Sequence, residues 1–149
     1  MKKVVLFGCL PISILALIVT MIYLAPILLI TADTSVYADN FNNDSTKQKK
    51  ALPELCKWAG VAALPTTRTY TKVSARGPAI VDYVIEFQAT TQDIQKWIVA
   101  SPAFSKPFIK NVKSSSIVEY RYDPTEKAQG VKLTINWLTG VVVIDISMH

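Results

Sequence analysis

The chain reads as an α+β domain carried on an N-terminal transmembrane helix. Three features predict this: an apolar run from Val4 to Ile30, a polar stretch after it, and then alternating strand patterns around one amphipathic helix. The expected organisation is a membrane anchor over residues 1–30, a flexible tether over 31–50, and a single domain over 51–149. That domain is expected to be a small antiparallel sheet of about five strands, with one main helix packed on one face.

The 27 residues from Val4 to Ile30 carry no charge. A helix rising ~1.5 Å per residue crosses about 30 Å of hydrocarbon in about 20 residues, so the run spans with tilt or a kink. Pro11 and Pro26, near its two ends, are the expected kink points. The competing reading is a signal peptide cleaved after Val36-Tyr37-Ala38. Signal peptides, however, have an apolar region of only about 7–15 residues. A lipoprotein signal at Leu6-Phe7-Gly8-Cys9 fits less well, because Phe7 is bulky and a long apolar run would survive processing. Lys2 and Lys3 precede the run, whereas Asp33, Asp39 and Asp44 follow it before any basic residue. The N-terminus is therefore expected in the cytoplasm and the domain outside it.

Residues 31–50 (TADTSVYADNFNNDSTKQKK) show no apolar period and too little apolar surface to order themselves, hence the tether. Residues 51–149 are enough for one modest core and too few for two. The chain is 50% hydrophobic, a figure inflated by the apolar run. Its net charge of +5 falls to +3 over residues 51–149, where 11 basic residues face 8 acidic ones. That balance lacks the dense basic stripe of a nucleic-acid binder, and an extracytoplasmic address argues against nucleic acid independently. Cys9 lies in the apolar run and Cys56 is alone in the domain, so no disulfide can staple the fold.

Within the domain, Pro53–Ala59 is expected as a short helix with Pro at its first position and Gly60 as its stop. Leu52, Leu55, Cys56 and Ala59 share one stripe of it, which predicts a buried thiol. Residues 68–74 (RTYTKVS) alternate and run into the turn Ala75-Arg76-Gly77-Pro78. Residues 80–88 form the next strand, with Val81, Tyr83, Ile85 and Phe87 pointing one way. Thr90, followed by Asp93, caps a helix over Thr91–Ser101 whose stripe is Ile94, Trp97 and Ile98, and Pro102 closes it. Strands are expected over 116–122, 131–138 and 141–148, the last two joined by a tight turn at Thr139-Gly140. Tyr83, Tyr120, Tyr122 and Trp137 share the inward phase of Ile85, Val118 and Ile135, which favours a core role over a stacking platform. Asp82, Glu86, Glu119, Arg121, Lys132 and Asp145 fall on the solvated face, where cross-strand ion pairs are the expectation.

No catalytic, cofactor-binding or metal-ligating residues emerge. The chain has no Gly-rich phosphate loop, no helical histidine pair and no spaced cysteine cluster. The only histidine is the terminal His149, and a Cys56–His149 pair would lack a third orienting group. Asp82 and Glu86 are four residues apart on one strand, roughly 13 Å, beyond the 5–9.5 Å that paired glycosidase carboxylates use.

One stretch stands out, Phe104-Ser105-Lys106-Pro107-Phe108-Ile109-Lys110-Asn111-Val112-Lys113. Phe104, Lys106, Phe108, Lys110 and Lys113 interleave aromatics with cations, as a contact to anionic headgroups or a partner would. The plainer reading, which a loop over a core favours, has Phe104 and Phe108 plugging the core and the lysines solvated. Together these features support a non-enzymatic, single-pass protein. Its partners are the lipid bilayer through residues 4–30 and an envelope protein or other envelope component bound by the outer domain. An exposed edge strand is the expected handle. A secreted inhibitor or ligand carrier, and a small hydrolase, are the alternatives.

Overall fold

The computed structural model describes residues 37–77, 81–123 and 128–148. The expected membrane helix over residues 4–30, the start of the tether and His149 lie outside them. Among the described residues no helix is long and apolar enough to cross a membrane. The chain runs through α1 (Ser45–Trp58), β1 (Tyr70–Arg76), β2 (Asp82–Gln88) and α2 (Thr91–Ala100) to a 3-10 turn at Pro102–Ser105. It then continues through β3 (Ile109–Val112), β4 (Ile117–Tyr122), β5 (Ala128–Asn136) and β6 (Val141–Met148). The α+β class holds, with a six-stranded sheet ordered β1-β2-β6-β5-β4-β3, antiparallel throughout.

Strand alternation sends three apolar rows across one face. The central row is Val73, Ile85, Ile144, Leu133 and Tyr120, each opposite the next in the ladder. Phe87, Val142, Ile135 and Val118 form a second row, and Ala75, Tyr83, Ile146, Val131 and Tyr122 a third. Leu55 and Cys56 from α1, Ala59 at its C-cap, and Ile94 and Trp97 from α2 join these rows in one buried cluster. The Trp97 indole stands edge-on to Phe87 at 5.2 Å and donates to the Ala62 carbonyl at 3.0 Å. Each buried Ile, Leu or Phe contributes about 1.5–3 kcal/mol, whereas an exposed ion pair contributes ~0–1 kcal/mol, so the rows rather than the charges hold the layers together.

Local signals end the elements where residue chemistry demands it. Thr90 caps α2 by accepting from the Asp93 N–H. Gly140 closes the β5–β6 turn at φ +67, and a Cβ there would lie 2.2 Å from the Ala89 carbonyl oxygen, so only glycine fits. The turn is longer than the expected two residues. Asn136 accepts from the Leu138 and Thr139 N–H groups, and Gly140 N–H returns to the Asn136 carbonyl.

Beyond that turn, the structure departs from the sequence expectation in three places. Residues 37–42 and 45–50, read as tether, are helical, and Ala38 and Phe41 are buried. Composition misled because the first half of α1 is polar on its outer side. What starts it is a single cap, the Asp44 carboxylate accepting from the Thr46 and Lys47 N–H groups at 2.9 and 3.0 Å. Pro53 consequently sits inside α1 instead of opening it. It lies on the exposed side, where the carbonyl it fails to pair can meet water. The third departure is a sixth strand, β3, formed from what read as loop.

The Phe41 ring meets Tyr83 edge-on at 5.6 Å. Phe41→Ala is expected to destabilise the domain by about 3–5 kcal/mol in urea unfolding monitored by tryptophan fluorescence. A loss under ~1 kcal/mol would return this segment to a tether.

Candidate functional site

A sheet has two edges, and here they differ. The outer edge of β1 is capped at Ala75 by the N-terminal segment. The Asn42 side-chain amide donates to the Ala75 carbonyl at 3.0 Å, and its oxygen accepts from the Ala75 N–H at 2.7 Å. One side chain thus reproduces the two bonds a neighbouring strand would make.

The other edge, β3, has no such cover among the described residues. Every residue from Ser105 to Ser115 is exposed. The direction of its backbone groups follows from ladder parity. Lys113 N–H donates to the Ile117 carbonyl, and Trp137 N–H donates to the Ser116 carbonyl. Odd-numbered residues of β4 therefore bond to β3 and even-numbered ones to β5. By the same alternation, Ile109 and Asn111 turn their N–H and C=O toward β4, while Lys110 and Val112 turn theirs outward.

The side chains at this edge continue the sheet's rows past the helical layer. Val112 extends the row through Val118, and Lys110 extends the row through Tyr120. Among the described residues nothing helical lies over Val112, which is 68% exposed, and Ile109, on the opposite face, is 64% exposed. Beside them the end of α2 and the 3-10 turn leave an open cleft of about 430 Å³, lined by Ile98, Val99, Phe104, Phe108 and Tyr120 among others.

The five residues singled out in the sequence separate into different roles. Phe104 is partly buried against the core, edge-on to Tyr120 at 5.2 Å and 6.0 Å from Tyr122. Phe108 packs on Phe104 and Tyr120 at 5.8 and 5.5 Å yet remains 40% exposed, so it forms the rim of the cleft. Lys106 is exposed after the 3-10 turn. The Lys110 ammonium lies 6.0 Å from the centre of the Tyr120 ring, and Lys113 pairs with Glu119 at 3.8 Å. Asn42 and Val112 belong to the two edges without having been marked as site residues. A four-residue strand with Lys and Asn at its centre carries too short a period to be recognised.

The polar sheet face behaves as an ion-paired surface. Asp145 bridges Arg76 and Lys132, the latter at 3.0 Å across the ladder, and Arg121 holds Glu119 at 2.7 Å. Burial pushes the Glu119 carboxyl up, but the Arg121 guanidinium, Lys113 and Lys132 outweigh it and leave its pKa below the ordinary 4.5. Cys56 is buried, and desolvation lifts its thiol to about 11, so it is not a ready nucleophile. Among the described residues no three His, Cys, Asp or Glu side chains gather as metal ligands.

A lowered carboxyl pKa stabilises the fold above the unfolded-state value and loses that contribution as pH falls through the folded one. Glu119→Gln should therefore lower the melting temperature at pH 7, and the gap from the wild type should close below about pH 4.5. A gap that stays constant down to pH 2 would mean the charge contributes nothing.

Compared with protein-family models, with curated proteins and with solved structures, the chain matches none.

Proposed function

We propose that this chain is a non-enzymatic, single-pass membrane-anchored protein whose extracytoplasmic domain binds an extended segment of a partner protein along the free edge of β3. The observation that carries the reading is the asymmetry of the sheet. Asn42 caps Ala75 on one edge, while the other leaves the Lys110 and Val112 backbone groups facing outward beside an open apolar cleft. Exposed edges are ordinarily blunted, and the shortness of β3 limits pairing without removing it.

Two features support anchorage. The apolar length of residues 4–30 exceeds what a cleaved signal needs. Cleavage after Ala38 would also remove Ala38 from the core and Tyr37 from its hydroxyl contact with Tyr83 at 3.2 Å. The anchored reading thus keeps the whole folded unit intact.

The full chain should resist alkaline carbonate extraction from native membranes. A photo-crosslinking residue at Val112 should give one discrete adduct, and the same residue at Tyr70, which is 42% exposed on β1 at the far side of the sheet, should give none. A mature chain beginning near Asp39 and soluble without detergent would sink the anchor. Identical labelling at both positions would sink the edge.

A further inference from the structure

We infer that β3 accepts an acidic, extended segment of another protein as a seventh strand, with one apolar side chain of that segment seated in the cleft beside Phe108. This rests on the docking-edge reading and names the chemistry of the partner.

Backbone geometry sets the first requirement. The outward N–H and C=O groups of Lys110 and Val112 are spaced as one half of an antiparallel or parallel ladder, and only another extended backbone satisfies both residues together. Side chains set the second. On the helical side of the sheet the edge presents Phe108, Lys110 and Val112, and on the polar side Ile109, Asn111 and Lys113. Each side of the edge thus combines apolar surface with one cation. An incoming strand that matches this edge carries apolar groups opposite Phe108, Ile109 and Val112 and carboxylates opposite Lys110 and Lys113, so each of its two faces is itself mixed.

Charge decides the sign. Lys110, Lys113 and Arg121 lie along β3 and β4 with Glu119 as the carboxylate among them, and Glu119 is already engaged by Arg121 and Lys113. The edge is cationic on balance, so a carboxylate-bearing strand is drawn in and a basic one repelled. The same lysines argue against a second copy of this chain, because pairing β3 with itself brings two Lys110 and two Lys113 side chains into one short ladder. A bilayer is a poor occupant too. Ile109 and Val112 point to opposite faces of the sheet, and lipid tails offer nothing to the outward backbone groups.

The test uses the full chain in non-ionic detergent micelles and a fluorescent ten-residue peptide built around Glu-Val-Thr-Glu-Leu-Val, which in the antiparallel register sets its carboxylates opposite Lys113 and Lys110 and apolar groups opposite Val112, Ile109 and Phe108. The peptide should bind at least tenfold tighter than its Lys-for-Glu counterpart, weaken with salt, and slow hydrogen exchange at the Lys110 and Val112 amides. Lys110→Glu combined with Lys113→Glu should reverse the charge preference. Val112→Pro removes an outward N–H and no β3–β4 bond, so it should reduce binding at least tenfold with the melting temperature unchanged. Equal binding of both peptides, with the two amides still protected, overturns the acidic partner and leaves the docking edge standing. Binding that ignores Val112→Pro and protects neither amide overturns the edge as well, as does binding of neither peptide. A concentration-dependent dimer protecting the same amides would assign the edge to a second copy. Capture on anionic vesicles, lost when Lys106, Lys110 and Lys113 become Gln, would assign it to lipid; either result overturns the proposal.

Discussion

Burial of three apolar rows beneath α1 and α2 holds this sheet together, and that burial stops one strand short. The rows are continuous from β1 or β2 through β6 and β5 to β4, where Val118, Tyr120 and Tyr122 are still covered. At β3 the same rows carry Lys110 and Val112 into solvent. Phe104, delivered by the 3-10 turn after α2, is the last side chain to reach across, and Phe108 folds back against it. Pro102 stops α2 at Ala100 and opens the 3-10 turn that carries Phe104.

The opposite edge shows what protection looks like when the sequence supplies it. Asn42 mimics a strand with one amide, and it can do so because Phe41 and Ala38 pin the preceding helical turn to the core. Gln48 steadies the same corner by donating to the Phe41 and Asn42 carbonyls at 3.1 and 2.8 Å. Nothing comparable reaches β3 among the described residues. The contrast gives the edge its functional weight, since exposure alone is common and usually silent.

Much of the domain was legible in the residues. The alternation around Ile85, Val118, Leu133 and Ile144 identified the strands and their inward faces, and the stripe Ile94–Trp97–Ile98 identified α2. Burial of Cys56, Tyr120 and Tyr122 followed from phase alone. Two parts were not legible, for different reasons. The helical segment before Pro53 is polar in composition, and its order depends on two long-range anchors, Phe41 on Tyr83 and Asn42 on Ala75, which no local window contains. β3 is held by its ladder to β4 rather than by burial, so its residues lack the apolar period by which strands are recognised. The aromatic and cationic residues around it were conspicuous, but their separation into a core plug, a cleft rim and an edge depended on the register.

The length of the folded unit also sharpens what anchorage would mean. A tether of 20 residues reaches roughly 70 Å when extended, whereas the six residues between Ile30 and Tyr37 reach about 25 Å. On the anchored reading, then, the domain stays within about its own width of the bilayer. Tyr37 enters beside Tyr83 on β2, and β3 lies four strand spacings away, about 19 Å across the sheet. An arriving strand therefore meets the flank opposite the chain's entry and need not compete with it for space. On that reading the same short link would restrict which segments can arrive, because a partner would have to present its extended stretch close to the membrane surface to reach β3. Proximity would then raise the effective concentration of such a segment, allowing a four-residue edge to hold a partner that it would bind only weakly from free solution.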